Sequence, residues 1–232
     1  MFKYDLHVHD LVGSLCSSAS PEEMVRAFAE NGMNGFVSTN HFIHGNTSVS
    51  RSLPWEERMR EYESAYLRAK KEAEKYENFE VLFGFEHGYA GGREVLVYGA
   101  DVDFLIAHPE IETMPIEKFS NLMMDSGFVV ATAHPYRIRP YNDNSVDPAP
   151  LFVNAVEVYN AHNNNEENMK AFKYATRNNF LFISGSDTHH TEETTIGKGG
   201  IATKRPIKNN KELVSILKAG EYNLIIDGEI IK

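Results

Sequence analysis

The sequence predicts an α/β fold on a largely parallel sheet, in a single domain over residues 1–232, and three observations carry that expectation. Short apolar runs alternate with amphipathic stretches along the chain. No internal repeat, low-complexity tract or Pro/Gly/Ser-rich linker divides it. The stretches between runs carry helix ends that can be read from residue type alone.

The apolar runs, taken as strands, are Phe2–Val8, Gly35–Thr39, Phe79–Phe85, Glu94–Tyr98, Gly127–Ala133, Ala155–Tyr159, Phe180–Ser184 and Tyr222–Ile226. Seven or eight strands suit a closed or nearly closed barrel better than two small sheets. The first helix opens at Ser20-Pro21-Glu22-Glu23, an N-cap, a proline at the first helical position and a capping-box glutamate. It stops near Asn31-Gly32, a usual C-terminal pair. Pro54–Lys75 reads as a long, charge-laced helix, and Ile116–Asp125, Glu166–Asn178 and Asn210–Ala219 as shorter ones. The glycine pieces Gly91-Gly92 and Gly197-Lys198-Gly199-Gly200 lack the spacing of a phosphate-binding loop and read as turns.

Composition narrows the function. At 42% hydrophobic and 11% aromatic, the chain holds enough apolar surface to offset its conformational entropy, which excludes a disordered chain. Lys and Arg number 23 against 33 Asp and Glu, a net charge of −10 without a basic patch, so nucleic acid is not expected as a bulk partner. One cysteine excludes an intrachain disulfide. With no N-terminal signal pattern and no long apolar run, a cytoplasmic protein that does not enter a membrane is expected.

The chemistry is concentrated where the runs stop. They end in Asp5-Leu6-His7-Val8-His9, Ser38-Thr39-Asn40-His41, Gly84-Phe85-Glu86-His87, Ala133-His134-Pro135-Tyr136-Arg137 and Ser186-Asp187-Thr188-His189. Side chains on a strand alternate, so His7 and His9 share a face with Asp5 behind them, and Asp187 and His189 repeat the geometry. Parallel strands would bring these ends to one rim, where imidazole and carboxylate together make a transition-metal site. His87 should point away from Glu86. His44, His108 and His162 fall in loops, and His190 stands either behind His189 or on the surface. Glu157 ends its run at the same rim, as a substrate residue or one behind the ligands. Arg137, three positions past His134, would present a planar fork to a phosphate or carboxylate. Arg139 competes for that role, and Arg93 is a weaker candidate. Ser17 and Ser18 lack a nucleophile elbow.

These clusters, in this order and across nearly the whole chain, resemble the PHP (polymerase and histidinol phosphatase) domain family, the small stand-alone bacterial members in particular. The resemblance implies a distorted (β/α)7 TIM-like barrel holding two or three divalent ions (zinc, manganese or iron). It implies a first ion on His7, His9, Glu86 and Asp187, a second shared by Glu86 and His134, and a third on His41 and His189. Asn40 stands where the family usually has an aspartate, behind the ligands like Asp5. The stretch Val12–Cys16 lacks the usual third-site His or Asp, and Leu96 occupies the neighbourhood of a usual second-site histidine. Cys16 and Glu94 are the candidate substitutes.

The expected activity is hydrolysis of a small-molecule phosphomonoester, such as histidinol phosphate or a nucleotide, by water activated on the metals. Asp187, His189 and Arg137 are its candidate catalytic residues, and Arg137, Arg139 and Glu157 its candidate substrate contacts. The alternatives are a C–N or lactone hydrolase of amidohydrolase type, which would tolerate Arg137→Ala, and a metal-stabilised barrel without catalysis. The sequence leaves the oligomeric state open.

Overall fold

The computed structural model describes residues 1–143, 145–146 and 152–231. Its strands are β1 (Phe2–Val8), β2 (Gly35–Ser38), β3 (Glu80–Tyr89), β4 (Arg93–Tyr98), β5 (Val129–Thr132), β6 (Ala155–Asn160), β7 (Leu181–Gly185), β8 (Gly199–Thr203), β9 (Asn223–Ile226) and β10 (Glu229–Ile231). They form one ten-stranded sheet in the order β10-β9-β8-β1-β2-β3-β4-β5-β6-β7. The helices are α1 (Pro21–Glu30), α2 (Trp55–Ala73), α3 (Val102–Ala107), α4 (Ile116–Asp125), α5 (Asn165–Asn178) and α6 (Asn210–Ala219).

The sheet is less regular than a strand–helix repeat. β1, β2 and β3 pair in parallel, as do β5, β6 and β7, but β4 pairs antiparallel with both β3 and β5. The reason is local: only three residues, Ala90–Gly92, separate β3 from β4, too few for a crossover helix, and Gly91 and Gly92 both take positive φ there. Six of the first seven strands therefore point their carboxyl ends at one rim, and β4 points its beginning there. The sheet curls until the segment after β7 meets β1, where Asp187 N bonds His7 O at 2.8 Å and His9 N bonds Thr188 O at 3.0 Å.

Gly199 and Gly200 are strand residues, not a turn. An added Cβ on Gly199 would lie 2.2 Å from the Gly185 backbone and one on Gly200 2.3 Å from Tyr4 O, so glycine lets β8 press against β7 and β1. The end signals of α1 are present as read: Ser20 accepts from Glu23 N, Glu23 answers at Ser20 N, and Pro21 opens the helix. α5 begins with a second capping box, between Asn164 and Glu167. One apolar cluster joins Leu82, Leu96, Ala131 and Ile183 to Leu213, Ile216 and Leu217 of α6. Asn210, at the start of α6, brackets Phe83 through both backbone groups, which ties the helix beside the start of β3, away from the rim.

Candidate metal centre

At the rim, the side chains that close the apolar runs meet. His7 Nε2 and His9 Nε2 are 3.0 Å apart. His7 Nε2 lies 3.2 Å from Glu86 Oε1 and 3.3 Å from Asp187 Oδ1, and His9 Nε2 lies 3.2 Å from Asp187 Oδ1. Ligands about 2.0–2.2 Å from a tetrahedral zinc stand about 3.3–3.6 Å from one another, so these four groups are spaced to close on one cation. Beside them His134 Nε2 is 3.1 Å from Glu86 Oε1 and 3.5 Å from Glu94 Oε2. His41 Nδ1 is 2.9 Å from Glu86 Oε2 and 3.2 Å from Glu94 Oε1. Glu94 reaches the rim because β4 is reversed: Gly88 of β3 pairs with it, two residues beyond Glu86.

The residues behind this set fix which ring nitrogen faces inward. His7 Nδ1 donates to Glu157 Oε1 at 2.9 Å, and His189 Nδ1 donates to the Asp187 carbonyl at 2.7 Å. Ser14 Oγ donates to Asn40 Oδ1, so at 3.1 Å from His9 Nδ1 it accepts that ring's proton. In their neutral forms all three rings present a bare Nε2, the tautomer a metal ligand requires. Ser14 also accepts from His41 N, making it a hub that the residue pattern alone does not reveal. Asp5 accepts from His7 N and Ser186 N, pinning the loop after β7 onto β1. Asn40 receives Asp10 N and returns a hydrogen bond to Asp10 Oδ2, which shapes the 10–14 turn. His134 and Asp187 hold φ of 31° and 61°, a left-handed conformation that costs non-glycine residues of order 1 kcal/mol each. Backbone hydrogen bonds to Glu157 Oε2 and His7 O hold them there.

Proton affinities follow the packing. Burial alone would drive His7 down, but the carboxylates of Asp187, Glu157 and Glu86 hold it well above 6.5. His9, buried and facing His189 and His41, is pushed well below 6.5. Burial would raise Glu86 and Asp187, yet His7 with His41, and His7 with Arg137, hold them well below the usual carboxylate range. Asp5 is pushed up by burial to about 7. Burial would raise the Cys16 thiol, but hydrogen bonds with His189 and His41 outweigh it and bring it to about 6. His189 rises to about 9 against its burial, through Cys16 and Asp187.

Two of the roles expected from sequence change, and the choice left open for Glu157 narrows to one. Glu157 is fully buried behind His7 and also accepts from His134 N and Asn160 Nδ2, so it faces the ligands and not a substrate. Arg139 lies outside the cleft, tied to Glu167 Oε1 at 2.9 Å and the His162 carbonyl. Arg137 lines the cleft, but its fork is spent on the protein: Nη1 on Asp187 Oδ2 at 2.7 Å, Nη2 on Asn160 Oδ1 at 2.7 Å and Nε on Asn163 Oδ1 at 2.8 Å. Its distance from Asp187 along the chain hid that pairing. His87 turns away from the centre and stacks on Phe119 at 4.1 Å, where burial pulls it down to about 3. His44 and His162 are exposed, and His108 and His190 are half-buried. The cleft above the centre encloses about 440 Å³.

Comparison with known proteins fits this geometry. Residues 165–222 match a family model described as PHP-associated. A search of curated proteins finds no match. Among solved structures, all of this chain superposes on a two-domain protein from Bacteroides vulgatus containing a predicted PHP-like metal-dependent phosphoesterase, at TM-score 0.73 and 14% identity; the chain spans 66% of that protein. An amidohydrolase from Chromobacterium violaceum aligns with 93% of this chain and 96% of its own at TM-score 0.55 and 13% identity. Endonuclease Q in complex with a 27-mer duplex carrying an abasic lesion aligns with 94% of this chain and 56% of its own at TM-score 0.57 and 14% identity. The chain thus shares its fold with these three proteins. Residues 165–222 add a sequence match to a PHP-associated model, and the chain as a whole is similar to PHP-like proteins in fold.

The endonuclease Q complex corrects one sequence-based exclusion. Net charge −10 set nucleic acid aside, but a protein of the same fold holds duplex DNA at its active site. Net charge describes the whole surface, whereas the local potential that a phosphate meets is set by the groups around it and by any cation they hold. No helix among the described residues is long and apolar enough to cross a membrane.

Proposed function

We propose that this chain hydrolyses a phosphomonoester at the rim, with two or three zinc, manganese or iron ions as its cofactors. The observation that carries the reading is the convergence of His7 Nε2, His9 Nε2, Glu86 Oε1 and Asp187 Oδ1 at 3.0–3.3 Å, with the Nδ1 atoms of both rings engaged elsewhere. The residues fit metal in a second way: Glu86 Oε2 and His41 Nδ1 are buried and lack hydrogen-bond partners. When bound, the ions would lower the pKa of water toward neutrality and neutralise phosphoryl oxygens.

His7, His9, Glu86 and Asp187 would hold one ion, and His134 and Glu94 a second shared with Glu86. His41 and His189, joined by Cys16, would hold a third. Glu157 and Ser14 keep His7 and His9 in register. Arg137 positions Asp187. Because its Nδ1 is fixed on the Asp187 carbonyl, His189 has only Nε2 to offer, and it serves as a ligand or as a proton carrier, not both at once. The description of the Bacteroides neighbour favours a phosphoester, and a cleft of about 440 Å³ suits a small phosphomonoester. Likeness to the Chromobacterium amidohydrolase supports the second reading, hydrolysis of a C–N or lactone bond at the same centre.

The test is metal content by elemental analysis, alongside phosphate release from a panel of phosphomonoesters, oligonucleotides, amides and lactones with Mn²⁺ or Zn²⁺ restored. Two or three ions per chain with phosphate release that His9→Ala abolishes is the expected result. Turnover confined to amides or lactones selects the second reading. Bound metal without turnover of any compound selects a metal-stabilised barrel.

A further inference from the structure

Three arginines are almost fully buried, and two of them hold a carboxylate. Arg58 pairs with Glu112 at 2.7 Å and Arg137 with Asp187 at 2.7 Å. Arg93, 7% exposed at the start of β4, pairs with none among the described residues. One bond, Nη1 to the Arg137 carbonyl at 3.3 Å, serves its guanidinium, and Nε is buried without a partner. Asp143 feels the charge at longer range but turns its carboxylate to Ser145 N and Oγ at 2.9 and 2.7 Å. A guanidinium removed from water without a counter-ion is costly, so its compensation is expected from whatever enters beside it. What lies beside it is the cleft: Arg93 lines the same cavity as His41, Glu86 and Asp187.

We propose that Arg93 is an anion subsite at the mouth of the cleft, binding a carboxylate or a second phosphate on the leaving-group side of the substrate. This rests on the phosphoesterase reading. Glu94 turns to His41 and His134 at the metal centre, while Arg93 lines the same cleft beside Gly92 and the exposed Tyr141. An anion held there is separate from the phosphoryl group undergoing hydrolysis. Arg137, whose donors already serve Asp187, Asn160 and Asn163, is not the group left waiting for one.

The experiment compares three phenyl phosphates whose leaving group carries no charge, a carboxylate or a second phosphate. Wild type should prefer one of the charged pair by at least about tenfold in kcat/KM, and which one identifies the anion. Arg93→Gln should abolish that preference while leaving metal content and turnover of the uncharged compound within about threefold, and Arg93→Lys should restore part of it. Absence of preference in wild type, or an equal loss on all three compounds in Arg93→Gln, overturns the subsite. If wild type cleaves none of the three, the phosphoesterase reading fails by itself, and inorganic phosphate titrated into metal-free protein decides on Arg93. Binding weakened at least about tenfold by Arg93→Gln supports the subsite; no binding, or binding the variant keeps, overturns it.

Discussion

His41 Nδ1 and Glu86 Oε2 face each other at 2.9 Å, both buried, and neither makes a hydrogen bond. Two polar atoms so close, and so poorly aligned for a proton between them, are placed for a shared cation. A cation there would engage the lone pairs of both at once.

Glu86→Gln should therefore remove at least one bound ion per chain and lower phosphate release by more than about 100-fold. Elemental analysis of the purified variant, compared with wild type prepared alongside, decides. A full metal complement in the variant would remove Glu86 from the ligand set.

Cys16 lines the same cleft as His41 and His189, which together draw its thiol down to about 6. Wild type loaded with Co²⁺ should show a sulfur-to-metal charge-transfer band in the near ultraviolet that Cys16→Ser lacks, while the visible bands of the remaining cobalt persist. Identical near-ultraviolet spectra would place the thiol outside the coordination sphere.

Arg137→Ala leaves Asp187 buried without its partner. Removal of one member of a buried pair costs about 3–5 kcal/mol, and the melting temperature measured in chelator should fall accordingly. The pairing also changes what this variant can discriminate. A C–N or lactone hydrolase, expected from sequence to tolerate Arg137→Ala, would suffer too, because Asp187 is disturbed whichever bond is cleaved.

His87 gives the acid limb of stability a definite sign. Burial holds it at about 3 in the folded protein against an ordinary value of 6.5, so the unfolded chain binds the extra proton between those values. The stabilisation is complete above about 6.5, declines as pH falls, and is exhausted below about 3, amounting to a few kcal/mol in all. His87→Phe, which keeps the ring against Phe119, should flatten that limb. Urea titrations of metal-free protein from pH 7 to pH 4 test it: parallel pH dependence in variant and wild type would assign the acid lability elsewhere.

Much of the candidate metal centre is legible in sequence because His7, His9, His41, Glu86, His134, Asp187 and His189 sit where apolar runs stop, whereas Glu94 begins one. His7 and His9 need only the strand repeat to be assigned a common face, whereas Asp187 and His189 follow the end of β7 and Asp187 takes a left-handed φ that the repeat does not foresee. The ion pairs and polar hubs are not legible in that way. Arg137 and Asp187 are 50 positions apart, and Ser14 serves His9, His41 and Asn40 from a turn without any periodic signal. Glu157 shows the boundary case: its strand position fixes the rim, but only three-dimensional packing shows that it looks at His7. The direction of β4 is hidden for a different reason, since an apolar run carries no mark of which way it travels. Its short Ala90–Gly92 connection is the available clue.

That reversed strand gives the molecule a way to change its specificity. Glu86 and Glu94 are supplied by the two legs of one hairpin, and the tip between them overhangs the cleft that Tyr89, Gly92 and Arg93 line. Insertions or substitutions at the tip would reshape the entrance while the hydrogen-bonded legs keep both carboxylates in register. Selection can thus vary the entrance at Ala90–Arg93 without disturbing the imidazole and carboxylate cluster beneath.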